Sequence, residues 1–230
     1  MNQNITNTIL EDSKVPQIIS LLKHKACTKQ AVYRRTIEVF KRLKKIASEI
    51  ASVIDHEIQD IDKTVDVEYI NISDFEFQIK FSGDLLVFSM HSNVVTFPNE
   101  HILQKSPYIM EDPARGFFGA IVAYNFLADS LKYNRMKDPG YLLARMFLNK
   151  EDHFYIEGVR QLNFLNPDIA QNKLSDEILR IFIESTMLAS LEEDSEMPNF
   201  EKERVISVQQ KLSKTMLGNI QKVGFKMSAQ

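Results

Sequence analysis

The spacing of apolar residues changes twice along this chain, and each change marks a change of structure. Between residues 28 and 59 the apolar positions are Val32, Val39, Leu43, Ile46, Ile50 and Val53, with Phe40, Ala47, Ala51 and Ile54 beside them. Steps of four and three in alternation place side chains on one face of a helix. A stripe this wide predicts a helix lying on a sheet or bundle, not a narrow two-stranded seam. A shorter helix should precede it from Pro16 to about Lys25, since proline suits a first helical turn. Residues 1–12 read as a loose polar tail.

The period then drops to two. Phe75, Phe77, Ile79 and Phe81 alternate with Glu76, Gln78 and Lys80, the pattern of a strand with one buried and one wet face. Ser82-Gly83-Asp84 turns the chain and 85–90 returns as a second strand. Strands at 65–72 and, briefly, 94–97 flank this hairpin, and Pro98, Pro107 and Pro113 punctuate an irregular region. The β-branched and aromatic content of 117–127 favours a strand. Asp138-Pro139-Gly140 leads to another at 141–148, and Asn149-Lys150-Glu151-Asp152 to a last one at 153–157.

Helical spacing returns after that. Ser175 is placed to cap a helix carrying Ile178, Ile181, Phe182, Met187, Leu188 and Leu191. An acidic break at 192–198 separates it from a final helix with Val205, Val208, Leu212, Met216 and Ile220 on one side. The reading is an α+β fold, an antiparallel β meander of about six or seven strands flanked by N-terminal and C-terminal helices. We expect one domain over 1–230, helical in 1–62, sheet in 63–160 and helical again in 168–224. The absence of a βαβ rhythm argues against Rossmann or barrel architectures.

Composition narrows the setting. At 230 residues and 44% hydrophobic the chain can bury a real core. The lone Cys27 excludes an internal disulfide framework. The polar start lacks the basic-then-apolar pattern of a secretory signal. The longest apolar stretch, 117–128, is interrupted by Asn125 and falls short of the ~20 residues a membrane helix needs. A cytoplasmic protein without membrane contact is the expectation.

Charge is unevenly placed. The net value is −3, yet 21–48 holds nine cations and a single acid, Glu38. Either a polyanion meets this stretch or the rest of the fold neutralises it. Arg34, Lys41 and Lys45 align on the helix wheel, with Arg35 and Arg42 to either side. These five are the candidate contacts for a polyanion or an acidic partner.

Candidate chemistry is thinner. The chain has no P-loop, no Gly-x-Gly-x-x-Gly, no His-Glu-x-x-His and no Gly-x-Ser-x-Gly. No cofactor and no metal is therefore expected. Cys27 lies three residues from His24, a spacing that a thiol–imidazole pair can use. His91, His101, Glu100, Glu111 and Asp112 are imidazoles and carboxylates close in sequence, but match no ligand spacing. His153 and Glu157 share a face if the segment is a strand. The densest polar cluster is 124–135. Asn125, Asp129, Tyr133 and Arg135, followed by Arg145, are the candidate ligand-binding set, although such residues also satisfy turn backbone.

The leading functional expectation is a non-catalytic interaction or small-ligand-binding module. Its partner is a protein or a second copy, through the 32–53 stripe or the 205–220 stripe. One alternative is a hydrolase or transferase using His91, His101, Asp129 or His153. Another is a nucleic-acid-associated effector using the basic helix, nucleic acid being a possible partner with little else to support it.

Overall fold

The long apolar stripe is used as a floor for the sheet. In the computed structural model, which describes residues 14–159 and 168–192 and the backbone of 195–196 and 221–222, the helix Cys27–Gln59 buries Val32, Val39, Phe40, Leu43, Ile46 and Ile50 along one face. The predicted shorter helix, Val15–Leu21 (α1), is not separate. It runs through one π-type turn, Leu22–Ala26, into Cys27–Gln59 (α2), with helical backbone angles throughout. No helix breaker lies between Pro16 and Asp60, which is why the expected junction near Cys27 does not form.

The sheet is a six-stranded antiparallel meander in sequence order. Its strands are Val67–Ser73 (β1), Glu76–Phe81 (β2), Asp84–Met90 (β3), Gly119–Leu127 (β4), Tyr141–Leu148 (β5) and Phe154–Gly158 (β6). The short strand expected at 94–97 is reduced to a single bridge between Val95 and Phe118. Between β3 and β4 lie two 3-10 turns, Ile102–Lys105 and Pro113–Gly116, and the short helix Pro107–Glu111 (α3). A one-turn helix, Ala128–Lys132 (α4), follows β4 where the sequence reads as a strand end. The predicted C-terminal helix is Asp176–Leu191 (α5), and Ser175 caps it by accepting from the Ile178 amide. The two-residue strands Ser195–Glu196 (β7) and Gln221–Lys222 (β8) pair with each other. The 1–12 tail and the 205–220 stripe lie outside the described residues.

Register decides which side chains meet the helices. Phe77 pairs with Phe88, and Ile79 with Leu86. Met90, Phe88 and Leu86 in turn lie opposite Ile121, Ala123 and Asn125, so these positions share the helix-facing side. There Phe77 stacks on Phe88 with ring centroids 4.7 Å apart, while Phe40 of α2 and Phe182 of α5 close on the pair from outside. Burying each such ring contributes roughly 1.5–3 kcal/mol. Gly119 is where α2 presses closest to the sheet: a β-carbon there would sit 1.9 Å from Thr36 Oγ1.

The opposite side is covered only in part. The 95–118 segment folds over Ala120 and Phe147, forming a second apolar cluster with Leu103, Ile109, Phe118 and Ile169. Asn149, fully buried, organises the adjoining turn by accepting from the amides of Glu151 and His153. Toward β1–β3 this cover stops.

A cavity on the uncovered side of the sheet

Where the cover stops, the alternation of β2 leaves Gln78 and Lys80 pointing away from the core, with Ile70 of β1 and Leu85 of β3 beside them. The chain leaving β4 closes over these residues. The Ala128 amide donates to the Gly83 carbonyl at 2.9 Å, tying the start of α4 to the β2–β3 turn. The segment beyond α4 is fixed in the same way. The Arg135 amide donates to the Ser130 carbonyl at 2.8 Å, and the Asp138 amide to the Arg135 carbonyl at 3.0 Å. The Ser130 hydroxyl donates to the Asp138 carboxylate at 2.7 Å. Gly140 then lies flat on Phe126, where a β-carbon would come within 2.2 Å of the ring. The result is a cavity of about 840 Å³, within the size range of small-molecule sites.

Its walls divide by chemistry. Ile70, Leu85, Leu127 and Leu131 make an apolar surface, and Lys80, Lys132, Arg135 and Asp129 bring charge to it. Lys80 pairs with Asp66 at 2.6 Å. The bond to Asp66 raises the Lys80 amine above its ordinary value, and the same bond holds the Asp66 carboxyl below the usual carboxylate range. Arg135 is less well served. Its side chain is 9% exposed and Asp138 lies 3.9 Å away. The Asp138 oxygen it approaches already accepts from Ser130. The buried Arg135 Nε has no hydrogen-bond partner.

The five candidate ligand-binding residues do not form one group. Asp129 and Arg135 line the cavity. Tyr133 is exposed outside it, with the Arg135 guanidinium 5.6 Å from its ring centre. Asn125 lies on the helix-facing side, buried, donating to Asp84 at 3.2 Å. Arg145 is on the cavity's side of the sheet but further along, opposite Val122 and paired with Glu157. The antiparallel course of β5 carries it away from the cavity. Lys80 and Ile70 are lining residues that sequence proximity missed, and Lys132 lies within the polar 124–135 run without being among its candidates. The wet face of 76–80 is the local signal for Lys80 alone.

The basic helix is largely answered from within. Arg35 makes a two-pronged bond to Asp152 and a further one to Glu38, and Arg42 meets Asp176 at 2.6 Å. Lys44 reaches Asn71 and the Ser73 carbonyl. Lys45 has Glu49 at 3.9 Å, while Arg34 and Lys41 are exposed. The apolar stripe behind them is buried against the sheet from Val32 to Ala51, while Val53 at its end is exposed.

The histidines do not converge. His91 bonds the backbone at Asn93. His101 stacks on Phe97 and stands 4.0 Å from Glu157. His153 packs on Tyr108 and bonds the Ile169 carbonyl. None of them lines the cavity beside Asp129. Cys27 is exposed. Among the described residues no group of three or more His, Cys, Asp or Glu could hold a metal ion, and no helix is long and apolar enough to cross a membrane. Compared with family models, with curated proteins and with solved structures, the chain matches none of them.

Proposed function

We propose that this protein is a non-catalytic cytoplasmic module that binds a small ligand in the cavity between the uncovered side of β1–β3 and α4. The observation that carries this reading is the cavity itself. About 840 Å³ of space is held open by a tethered loop, with an apolar surface and four charged side chains converging on it. A few placed polar groups over an apolar lining is how small-molecule sites combine affinity with orientation. The scattered histidines give acid–base chemistry no centre, which favours binding over catalysis. The lone cysteine supports the reducing compartment.

Native mass spectrometry of the full chain, purified gently from its own host, tests the reading. The expected result is an added mass of a small organic molecule on the 26.6 kDa chain. Gln78→Trp, which fills the cavity, should remove it. A bare chain, together with a fragment screen by NMR that shifts no cavity resonance, would sink the reading.

A second reading concerns a partner. The α1 arm buries none of its residues, and Ile18, Leu21 and Leu22 are each more than half exposed. Such a helix favours contact with another protein or a second copy. A dilution series by analytical ultracentrifugation, with Leu21→Glu/Leu22→Glu as the control, decides it. A monomer at every concentration would remove the second copy.

A further inference from the structure

We infer that the cavity takes an anionic amphiphile, an organic acid or phosphate monoester whose charged end is held by Arg135 and whose apolar body lies against Ile70 and Leu85. This rests on the reading of the cavity as a ligand site and adds the ligand's chemistry.

A guanidinium sets the ligand's charged end. It carries five N–H donors in a planar fork and stays charged at any ordinary pH. In Arg135 that group sits in a side chain only 9% exposed, and its Nε finds no acceptor among the described residues. A buried unsatisfied donor is unfavourable, more so on a charged group. Asp138 does not relieve it: its carboxylate oxygen, which accepts from the Ser130 hydroxyl, is 3.9 Å from the guanidinium, too far for a hydrogen bond. The backbone on both sides of Arg135 is bonded to Ser130 and Asp138, so the guanidinium is presented from a fixed loop. A guanidinium with an unmet Nε donor is matched by a carboxylate or a phosphate, the acceptors whose geometry suits its planar fork.

The surroundings set the rest of the ligand. The charged lining is three cations, Lys80, Lys132 and Arg135, against one acid, Asp129. Asp66 pairs with Lys80 and Asp138 stands behind Arg135, so charge at the wall is close to balanced. The anion is selected by the unmet donor of Arg135, not by an excess of cations. The apolar share of the lining, Ile70, Leu85, Leu127 and Leu131, would be left wet by a bare inorganic ion. An attached alkyl or aryl body covers it, and each buried methylene tightens binding by about fourfold.

The test is calorimetry and ¹⁵N NMR on the full chain with octyl phosphate, octanoate, inorganic phosphate and n-octanol. Octyl phosphate and octanoate should bind about tenfold or more tightly than octanol, and shift the amides of Gln78 and Arg135. Inorganic phosphate should bind more weakly than octyl phosphate. Arg135→Gln should lower octyl phosphate affinity by about ten- to hundredfold, leaving the melting temperature and octanol binding in place. Arg135→Lys, which keeps the charge and loses the fork, should fall between. Equal affinity for octanol and octyl phosphate, or unchanged binding by Arg135→Gln, would overturn the anion. Inorganic phosphate binding as tightly as octyl phosphate would overturn the apolar body. In either case octanol shifts at Gln78 would leave the cavity reading standing, whereas four probes that shift no cavity amide would remove both.

Discussion

The two sides of the sheet are built from the same strands, yet they differ in almost every physical respect. The helix-facing side carries Phe77, Ile79, Leu86, Phe88, Ile121 and Met146, all buried, under α2 and α5. The other side is packed only beneath the 95–118 cover, and toward β1–β3 it carries Gln78, Lys80 and the cavity with its Ile70 and Leu85. Alternation along each strand separates the two jobs residue by residue. One side is filled by packing, while the other keeps a hollow and a guanidinium whose Nε is unmet. A hollow of this size would be costly in the core.

Substitutions should therefore split by side. Phe77→Ala removes the ring shared by Phe40, Tyr69 and Phe88, and should cost about 3–5 kcal/mol in urea unfolding. A loss under about 1 kcal/mol would mean that α2 does not hold the sheet through this ladder. Gly119→Ala is next. The new methyl would meet Thr36 Oγ1 at 1.9 Å on the buried face of α2, forcing the helix off β4 for about 1–3 kcal/mol. Gly83, with nothing near its added β-carbon, is the matched control on the cavity's side. Smaller again is Arg35→Gln. It breaks the two-pronged bond to Asp152, whose partners are 34% and 22% exposed. After solvent screening the loss should be about 1 kcal/mol, measured as a fall in unfolding midpoint that shrinks in high salt.

How much of this the sequence shows depends on how local each signal is. The strict alternation of 75–81 and the long stripe of 32–50 determine β2 and α2, because each repeats over several turns or pairs. Ser175 is legible as a cap because capping is a contact three residues long. The 94–97 strand is not formed, since a strand exists only with a partner and Val95 finds just one, Phe118. The 128–132 turn of helix is hidden behind the β-rich run before it. In the cavity, Asp129 and Arg135 stand out as a polar cluster, but Ile70 and Lys80 lie more than fifty residues from Arg135 and meet it only through the meander. Asn125 shows the limit of proximity. It neighbours Tyr124 and Phe126 in sequence, and for that very reason it points to the opposite side. The cations of α2 show another limit. Whether a charge is free depends on Asp152 and Asp176, which are remote in sequence.

The smallest expected effect bears on the cavity's own wall. Asp66 and Lys80 bond at 2.6 Å with side chains 50% and 31% exposed. The bond lowers the Asp66 pKa and raises that of Lys80. Asp66's contribution is thus present above the ordinary carboxylate range and lost as pH falls through its depressed folded value. Lys80's is present below its ordinary value and lost as pH rises through its raised one. Between those limits stability should be flat in this pair. Since both groups are well exposed, Asp66→Asn should cost less than about 1 kcal/mol near neutral pH. Urea unfolding at pH 7 and again at pH 2.5 tests this, with the gap between variant and parent narrowing as pH falls. A neutral-pH loss above about 2 kcal/mol would show that the uncovered side holds the fold as the helix-facing side does. The cavity would then be part of the scaffold, and the separation of packing from binding between the two sides would fail.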